Sequence, residues 1–368
     1  MSKIIVDKSN GIDVLGLEEC KTILKYSLMA DQPINLIGPP GVGKSAIVAD
    51  VARDMKMSFE PLILSLCDPT DIGGFPVASA GMIERLPLGP IKRACNEPVI
   101  LFLDELTCAS PAVQGAAMRL VYERWAGDVK LHPGTRIIAA SNPPDQAAGG
   151  WELALPLLGR MTQIRMRPKL KEVQEYFFKL GSDGSRIKEL AVDFAATLQM
   201  APELVQIDPP ASASSTGTPW GSPRSWERAI KVCAQALDDG INESSMVFAA
   251  ALAGNVGEDQ AASFMTIRKV RSSLPSIDEI LKSPEDAKLP TNVNTQVAIL
   301  GVLAHVSQQD PCPAWVYAGR LNGEVRIAAM HLMGRFALKG HTKSPFFKKA
   351  TQSQISMLKS MGKVLHDT

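Results

Sequence analysis

The sequence lacks any long hydrophobic segment. In 368 residues, no apolar run reaches the roughly 18 residues that a membrane-spanning helix needs. The opening residues, MSKIIVDKSNG, contain no extended apolar segment typical of a secretion signal. With 45% hydrophobic residues and a mean hydropathy of +0.03, we expect a globular cytoplasmic protein with two or three domains and no membrane contact.

Cysteine and histidine are too few and too scattered for a metal centre or a disulfide framework. The six cysteines, at positions 20, 67, 95, 108, 233 and 312, form no C-x-x-C pair, which favours reduced, buried thiols. His305, His331 and His341 have no spacing that places two ligands on one helix face. We therefore expect these histidines to be packing or surface residues.

The sequence also lacks an excess of charge. A net charge of +1 gives no general attraction to nucleic acid or to a membrane surface. The last part of the chain, from Arg335, is nevertheless basic, with a single acid at Asp367. Its lysines are Lys339, Lys343, Lys348, Lys349, Lys359 and Lys363. This pattern fits either a solvated helical face or a basic contact for a partner or nucleic acid, and the tail alone does not decide between them.

The most informative stretch is NLIGPPGVGKSAIV, residues 35–48, which fits G-x-x-x-x-G-K-[ST]. The apolar run at 34–37 predicts a buried strand, and the residues from Ala46 onward predict a helix. Glycines at this turn let backbone N–H groups approach phosphate oxygens, and the helix N-terminus adds partial positive charge. The predicted nucleotide-binding residues are Gly38, Pro39, Pro40, Gly41, Val42, Gly43, Lys44, Ser45 and Ala46. Lys44 is predicted to meet the β- and γ-phosphates of ATP, and Ser45 to supply a hydroxyl ligand to Mg²⁺.

A second apolar run, PVILFLDEL at 98–106, predicts a strand buried on both faces and followed by two acids. Asp104 is placed to hold Mg²⁺ through water, and Glu105 to polarise an attacking water. The alternative is a solvated strand end, which we regard as the weaker interpretation because an uncompensated charge beside a buried strand is costly.

A third apolar run, RIIAASNPP at 136–144, places Asn142 at a strand end just before two prolines. Its amide could hold the lytic water or sense the γ-phosphate. Asn followed by Pro is also an ordinary turn signal. The spacing relative to the first two motifs favours the functional interpretation.

The order of GPPGVGKS, ILFLDE and AASNP resembles the Walker A, Walker B and sensor 1 motifs of AAA+ ATPases. Further stretches are similar to the MoxR group of that superfamily. CDPTDIGGFPV with ERLPLGPIKRA resembles its hairpin insert, and SPAVQGAAMRLVYER resembles its next helix. ALPLLGRM is similar to the arginine-finger box, and GSPRSWERAI to the second-sensor helix of the lid. The likeness runs from about Gly11 to about Ala236.

The resemblance implies roles for two arginines. Arg160 in LLGRM matches the arginine finger, although Arg165 and Arg167 lie close by, and Arg224 in SPRSWERA matches sensor 2. Arg224 could also be a surface residue in the first turn of a helix. In this superfamily the finger reaches the neighbouring subunit's site, where it stabilises charge on the leaving phosphoryl group. The resemblance therefore implies a homo-oligomeric ring, with a hexamer as the expected form.

Two departures from the MoxR pattern concern the subunit interface. Thr107 and Cys108 follow the Walker B acids where the group commonly has Asn-Arg, and Gly159 and Met161 replace a common Asp and Phe. Neither change affects the phosphate-binding motifs. Both leave the interface geometry open.

The predicted fold class is α/β: an AAA+ P-loop core with a parallel sheet between helices, an all-helical lid and a C-terminal helical extension. The core is expected at residues 1–168, with a hairpin insert at about Val77 to Gly89, the lid at 169–272 and the extension at 273–368. A Pro/Ser/Gly-rich loop just before Arg224 is either a plain linker or a mobile segment that lets Arg224 follow lid closure.

Three functions remain open at this point. The first is an ATP-hydrolysing ring that remodels a protein client, since the resemblance implies chaperone-like maturation of partners, often with a von Willebrand factor A domain protein. The second is a nucleic-acid motor, which only the basic tail supports. The third is a nucleotide-gated scaffold with little turnover, against which Glu105, Asn142 and Arg160 argue.

Overall fold

The computed structural model describes residues 14–366, apart from 80, 147–149, 199, 212, 273, 276, 291–298, 301, 304–305, 308 and 335–337. The described chain forms two compact units. The first contains residues up to Val192 together with Val205–Gln260, and the second contains Asp193–Leu204 and the residues from Ala261 onward. The three-domain division expected from the sequence, with boundaries near 168 and 272, remains a prediction.

The first unit is built on a parallel sheet. The strands are β1 (Val14–Leu15), β2 (Ile34–Ile37), β3 (Ser58–Ile63), β4 (Phe75–Ser79), β5 (Met82–Leu86), β6 (Val99–Asp104), β7 (Trp125–Ala126), β8 (Val129–Lys130), β9 (Arg136–Ser141) and β10 (Thr162–Met166). Six of them form one sheet in the order β1-β10-β2-β9-β6-β3, with every neighbouring pair parallel. The strands expected from the three apolar runs are thus confirmed as neighbours in one sheet.

Helices make up most of the remaining described residues of the two units. They are α1 (Leu17–Met29), α2 (Lys44–Asp54), α3 (Pro69–Gly73), α4 (Gly89–Asn96), α5 (Pro111–Glu123), α6 (Leu155–Leu158), α7 (Leu170–Lys179), α8 (Arg186–Thr197), α9 (Ala213–Thr216), α10 (Pro223–Asp238), α11 (Met246–Val256), α12 (Glu258–Ser272), α13 (Ile277–Lys282), α14 (Pro311–Ala318), α15 (Gly323–Met333) and α16 (Phe347–His366). Short 3₁₀ turns lie at Leu64–Leu66, Leu106–Cys108, Pro202–Leu204 and Leu338–Gly340. The predicted fold class, a parallel sheet between helices with a helical C-terminal part, is confirmed. The helix expected from TQVAILGVLAHV lies largely outside the described residues.

Successive side chains of β6 point to opposite faces of the sheet, and both faces are covered by helices. Val99, Leu101 and Leu103 pack with side chains of α4 and α5 on one face of the sheet. Ile100 and Phe102 pack with side chains of α1 and α2 on the other face. All five are fully buried, and each contributes about 1.5–3 kcal/mol relative to an exposed side chain. A strand covered on both faces must be hydrophobic at every position, as the sequence indicated.

Helices α5 and α10 begin with the same Ser-Pro pair. Ser110 accepts a hydrogen bond from the Val113 N–H at the start of α5, and Ser222 accepts one from the Ser225 N–H at the start of α10. Each serine satisfies an N–H that has no partner within the helix, which typically stabilises by about 1 kcal/mol. The following proline has no N–H to satisfy. The serine cap and the proline together set the first residue of each helix.

The predicted hairpin insert is a two-stranded ribbon of β4 and β5, which begins at Phe75 and ends at Leu86. It packs against the turn of the second ribbon, β7 and β8. There Asp128 accepts a hydrogen bond from the Arg85 N–H at 2.7 Å, and the Asp128 N–H donates to the Arg85 carbonyl at 3.0 Å. The two ribbons are therefore tied together by the Asp128 carboxylate and N–H, both bonded to the Arg85 backbone.

The second unit has a helical core of its own. Every residue of α14 is buried, and Trp315 and Tyr317 pack among side chains from α13, α15 and α16. The Tyr317 hydroxyl donates to the Lys288 carbonyl at 2.6 Å, so its polar end is satisfied inside the core. A helix that is apolar on all sides is expected at the centre of a bundle.

Candidate nucleotide-binding site

The predicted phosphate loop lies between β2 and α2, at the carboxyl edge of the sheet. Gly43 has a φ of +97°, a conformation that strains any residue with a side chain, and α2 begins directly after it. A Cβ on Gly38 would lie 2.7 Å from the Met166 carbonyl oxygen of the neighbouring strand. Both glycines are therefore required by the backbone. The amides of the first helical turn, at Lys44, Ser45 and Ala46, have no acceptor within the helix.

Lys44 is buried within this loop. Its side chain is 8% exposed, and its Nζ donates to the carbonyls of Gly38 and Pro39 and to Asn142 Oδ1, at 2.5, 2.9 and 2.8 Å. Burial lowers the pKa of the Lys44 ammonium to about 8, while Asp104 acts in the opposite direction. The ammonium thus lies at the ends of β2 and β9, where three oxygens of this chain accept its hydrogen bonds.

Ser45 and Asp104 form a second contact at the same edge. The Ser45 hydroxyl donates to Asp104 Oδ2 at 2.9 Å and so joins the first turn of α2 to the end of β6. A hydroxyl and a carboxylate are oxygen ligands of the kind that Mg²⁺ prefers, and Mg²⁺ is usually bound by one or two carboxylates with substrate phosphates completing its shell. The residues present therefore fit a magnesium-bound nucleotide. Among the described residues, no cluster of three or more His, Cys, Asp or Glu offers another metal site.

Glu105 follows Asp104 in a left-handed backbone conformation, with a φ of 57°. Its N–H donates to Asp104 Oδ1 at 2.9 Å, and its carboxylate accepts a hydrogen bond from the Ser65 hydroxyl. Ser65 lies just beyond β3, which pairs with β6 so that Ile63 is opposite Asp104. The candidate base is therefore turned towards the edge strand of the sheet, on the side away from the phosphate loop.

Asn142 lies where β9 ends, beside Lys44. Besides accepting from the lysine, it is held through its backbone, because its N–H lies 3.3 Å from the Thr107 hydroxyl. Thr107 is one of the two positions that depart from the MoxR pattern, and here its buried hydroxyl supports the end of a neighbouring strand. The motifs that the sequence placed far apart, at Lys44, Asp104 and Asn142, thus meet at one edge.

Arg160 follows the short helix α6 and is exposed. Its guanidinium carbon lies 4.3 Å from the centre of the Tyr122 ring, and its Nη1 donates to the Pro156 carbonyl at 3.1 Å. The buried Gln114 accepts a hydrogen bond from the Ala154 N–H at the start of α6. Helix α5, which carries Gln114 and Tyr122, therefore contacts the segment that ends in Arg160 at two points, Ala154 and Arg160 itself.

Arg224 approaches the phosphate loop through its backbone. Its N–H donates to the Gly41 carbonyl at 3.2 Å, which sets the start of α10 against the loop. A Cβ on Gly41 would lie 2.9 Å from the Ser222 hydroxyl oxygen, so the contact between loop and helix is close. The positive charge of Arg224 also contributes to lowering the pKa of Lys44. Arg224 is thus beside the predicted phosphates, whereas its role as a sensor remains a prediction.

Three contacts in this region were not anticipated from the sequence: Ser65 with Glu105, Tyr122 with Arg160, and Gln163 with the backbone on both sides of Arg160. Ser65 offers a weak signal, as a hydroxyl that ends an apolar run. His331 is exposed, His341 is half-buried, and His305 lies outside the described residues. Asp367 and Arg335 of the basic tail also lie outside them.

Part of the chain is similar to a known protein family. Residues 33–161 match the family model of the AAA domain, dynein-related subfamily. This segment, which contains the phosphate loop and four strands of the parallel sheet, is therefore similar to AAA domains. Helices long and apolar enough to cross a membrane are absent from the described part of the chain.

Curated relatives are similar over about a quarter to a third of the chain. Lon protease 2 of Sorangium cellulosum is 37% identical over 103 residues, which are 26% of this chain and 13% of that protein. Lon protease of Rickettsia conorii is 31% identical over 126 residues, 31% of this chain and 16% of that protein. Peroxisomal Lon protease homolog 2 of Danio rerio is 29% identical over 110 residues, 29% of this chain and 12% of that protein. The chain therefore spans only a small part of these relatives.

Among solved structures, a RuvB mutant from Thermotoga maritima covers 87% of this chain and 96% of its own, with 18% identity and a TM-score of 0.42. The Thermotoga maritima RuvB Holliday junction branch migration motor covers 86% of this chain and 93% of its own, with 18% identity and a TM-score of 0.37.

Proposed function

We propose that this chain is an ATP-hydrolysing AAA+ ATPase of MoxR type that works as a homo-oligomeric ring, expected to be a hexamer, and remodels a protein partner. One observation carries the proposal: Lys44, Ser45, Asp104 and Asn142 are joined by hydrogen bonds at one sheet edge, with Glu105 next to them. This arrangement matches what phosphoryl transfer to water requires, namely positioning of the phosphates, a metal-binding oxygen pair and a carboxylate base.

Each side chain has a separate task in this mechanism. Lys44 exchanges carbonyl contacts for phosphate oxygens, and the first-turn amides of α2 bind the remaining oxygens. When bound, Mg²⁺ supplies positive charge at the phosphate oxygens, and Ser45 and Asp104 would hold it. Glu105 accepts a proton from the attacking water after its carboxylate leaves Ser65. The Asn142 amide orients that water or contacts the γ-phosphate.

Arg160 completes the site from a neighbouring copy. Its guanidinium is exposed, rests on Tyr122 and uses Nη1 for one contact to its own chain, so most of its five donors remain available. An arginine side chain that contacts the γ-phosphate in the transition state raises kcat on the order of 10³-fold or more. We infer that this contribution is made between subunits.

Mixed rings test the proposal. Arg160→Ala and Glu105→Gln proteins should each hydrolyse ATP poorly. Mixing them should restore activity, because some sites then combine an intact Glu105 with an intact Arg160 from the neighbour. ATPase rate and ring size with ATP and Mg²⁺ are measured at several mixing ratios. Absence of restored activity at every ratio, or a monomer under all conditions, would exclude the ring mechanism.

Exposed apolar side chains on the β4–β5 hairpin support a protein as the client. Phe75, Met82 and Ile83 on β4 and β5 are 53%, 66% and 74% exposed, although they are large and apolar. The curated relatives reported above are named proteases, enzymes that act on proteins, which supports a polypeptide client. A von Willebrand factor A domain partner is a further part of this proposal and derives from the MoxR resemblance.

The client is tested by capture. Glu105→Gln protein loaded with ATP should retain client proteins, whereas Lys44→Ala protein should not. Adding Ile83→Asp to the Glu105→Gln protein should reduce capture without reducing ATP binding. If DNA, rather than any protein, stimulates the ATPase in a salt-sensitive way, the chain is a nucleic-acid motor instead.

A further inference from the structure

A chain of hydrogen-bonded polar side chains, Asn35 and Ser141 buried and Gln163 half-buried, crosses three strands of the central sheet. Asn35, in the middle of β2, is 0% exposed. Its Oδ1 accepts from the Ser141 hydroxyl on β9, and its Nδ2 donates to Gln163 Oε1 on β10, both at 2.9 Å. Buried amides are costly unless they are hydrogen-bonded, so an Asn in an otherwise apolar strand depends on both neighbours.

The chain of hydrogen bonds ends at the backbone on both sides of Arg160. The Gln163 amide has two N–H donors on Nε2. Nε2 donates to the Met161 carbonyl at 3.0 Å and lies 3.4 Å from the Leu158 carbonyl oxygen, which it also contacts. Leu158 is the last residue of α6, and Met161 directly precedes β10. One side chain therefore clamps the short loop whose middle residue is Arg160.

The other end of this chain of hydrogen bonds lies beside Asn142. Ser141, which donates to Asn35, is the last residue of β9 and directly precedes Asn142. The hydrogen bonds therefore run from the strand that carries the candidate sensor, through the strand that leads into the phosphate loop, to the loop of the exposed arginine.

We propose that Gln163 is a positioning residue for Arg160: it fixes the backbone of residues 158–161 so that the guanidinium is presented in one orientation to the neighbouring subunit. This inference rests on the proposed function, because it requires Arg160 to act between subunits. An error of about 1 Å in the placement of a catalytic group can reduce a rate by about 10²-fold. We expect loss of the Gln163 clamp to reduce kcat by about tenfold with little change in the KM for ATP.

The test uses Gln163→Met, which keeps length and volume but removes the amide. Its matched control is Gln32→Met, at an exposed glutamine of the same unit. Gln163→Glu is the second variant, used if Gln163→Met does not fold; it keeps an acceptor for Asn35 but loses both donors. Thermal unfolding is measured for every protein, and ATPase rates are compared only among folded ones.

Mixed rings then separate positioning from a general effect. If Gln163 acts only on the arginine presented to the neighbour, Gln163→Met mixed with Glu105→Gln should regain activity, since Gln163→Met subunits keep an intact Glu105 and receive an intact Arg160. Gln163→Met mixed with Arg160→Ala should regain no activity, because each subunit then lacks either the Arg160 side chain or the Gln163 contacts that position it.

The opposite pattern, rescue with Arg160→Ala but not with Glu105→Gln, would mean that Gln163 acts on its own subunit's site and would overturn the inference. Wild-type kcat in Gln163→Met, or a loss of activity that neither partner rescues, would also overturn it. The mixture of Arg160→Ala with Glu105→Gln serves as the reference. If that reference regains activity, the proposed ring is supported whatever the Gln163 mixtures show. If it does not, the ring mechanism is excluded, and the inference on Gln163 is excluded with it.

Discussion

The phosphate loop and the Arg160 loop lie in the same compact unit but are built in opposite ways. Lys44 is buried, and three oxygens of its own chain surround its ammonium. Arg160 is exposed, and its contacts are to an exposed tyrosine ring and one carbonyl. The first arrangement holds a charge ready inside the molecule, whereas the second leaves a charge available to another molecule. Binding is therefore expected to be a property of one chain, and rapid hydrolysis a property of an assembly.

The largest expected effect is at Lys44. Lys44→Ala removes the buried charge that we propose contacts the phosphates, so ATP affinity should fall by about 10²-fold or more. Binding of a fluorescent ATP analogue measures this loss, with the exposed Lys92→Ala as the matched control. Unchanged affinity in Lys44→Ala would contradict the assignment of this end of the sheet as the phosphate site.

Glu105→Gln sharpens the comparison by separating hydrolysis from binding. The amide cannot take a proton from water, so kcat should fall by roughly 10²–10³-fold, while ATP affinity stays within about twofold. Single-turnover hydrolysis and equilibrium binding measure the two effects, and Glu97→Gln, at an exposed glutamate, should behave as wild type. Equal loss of binding and hydrolysis would mean that Glu105 supports the loop rather than the chemistry.

Ser65→Ala should change the rate in the opposite direction. The Ser65 hydroxyl holds the Glu105 carboxylate towards the edge strand β3, on the far side of β6 from the phosphate loop. Without this hydroxyl the carboxylate is free to turn, so ATPase activity in the absence of a client should rise by about two- to twelvefold, given roughly 0.5–1.5 kcal/mol for one hydrogen bond. Ser65→Thr, which keeps the hydroxyl, is the control. A slower Ser65→Ala enzyme would show that Ser65 orients the base productively.

The smallest expected effect concerns Tyr122. The ring supports Arg160 by a cation–π contact that contributes roughly 0.5–1 kcal/mol at an exposed site, so Tyr122→Leu should lower the assembled ATPase rate by about two- to fivefold. Tyr122→Phe keeps the ring and should retain nearly the full rate. If the two variants are equally slow, the hydroxyl rather than the ring face matters, and the contact seen here does not position the arginine.

Local spacing predicted much of the site. The glycines, Lys44 and Ser45 lie within eight residues, so one turn between a strand and a helix is enough to bring them together, and the structure has that turn. Asp104 and Asn142 each end an apolar run, and parallel strands bring their carboxyl ends to one edge. The contacts of Ser65 with Glu105, Tyr122 with Arg160 and Gln163 with Asn35 were missed because the partners are far apart in the chain, so no local spacing relates them.

The sequence by itself determined the parallel sheet between helices, the phosphate loop and the polar residues at the strand ends, because periodicity and local spacing specify these features without knowledge of distant contacts. Tertiary structure decided where those side chains point. It paired β3 with β6, which gave Glu105 its hydrogen bond to Ser65, and it set β10 beside β2, which joined Gln163 to Asn35. Strand order places residues together that are 40 to 128 positions apart in the chain. Such order depends on the packing of both sheet faces at once, which no short stretch of sequence contains.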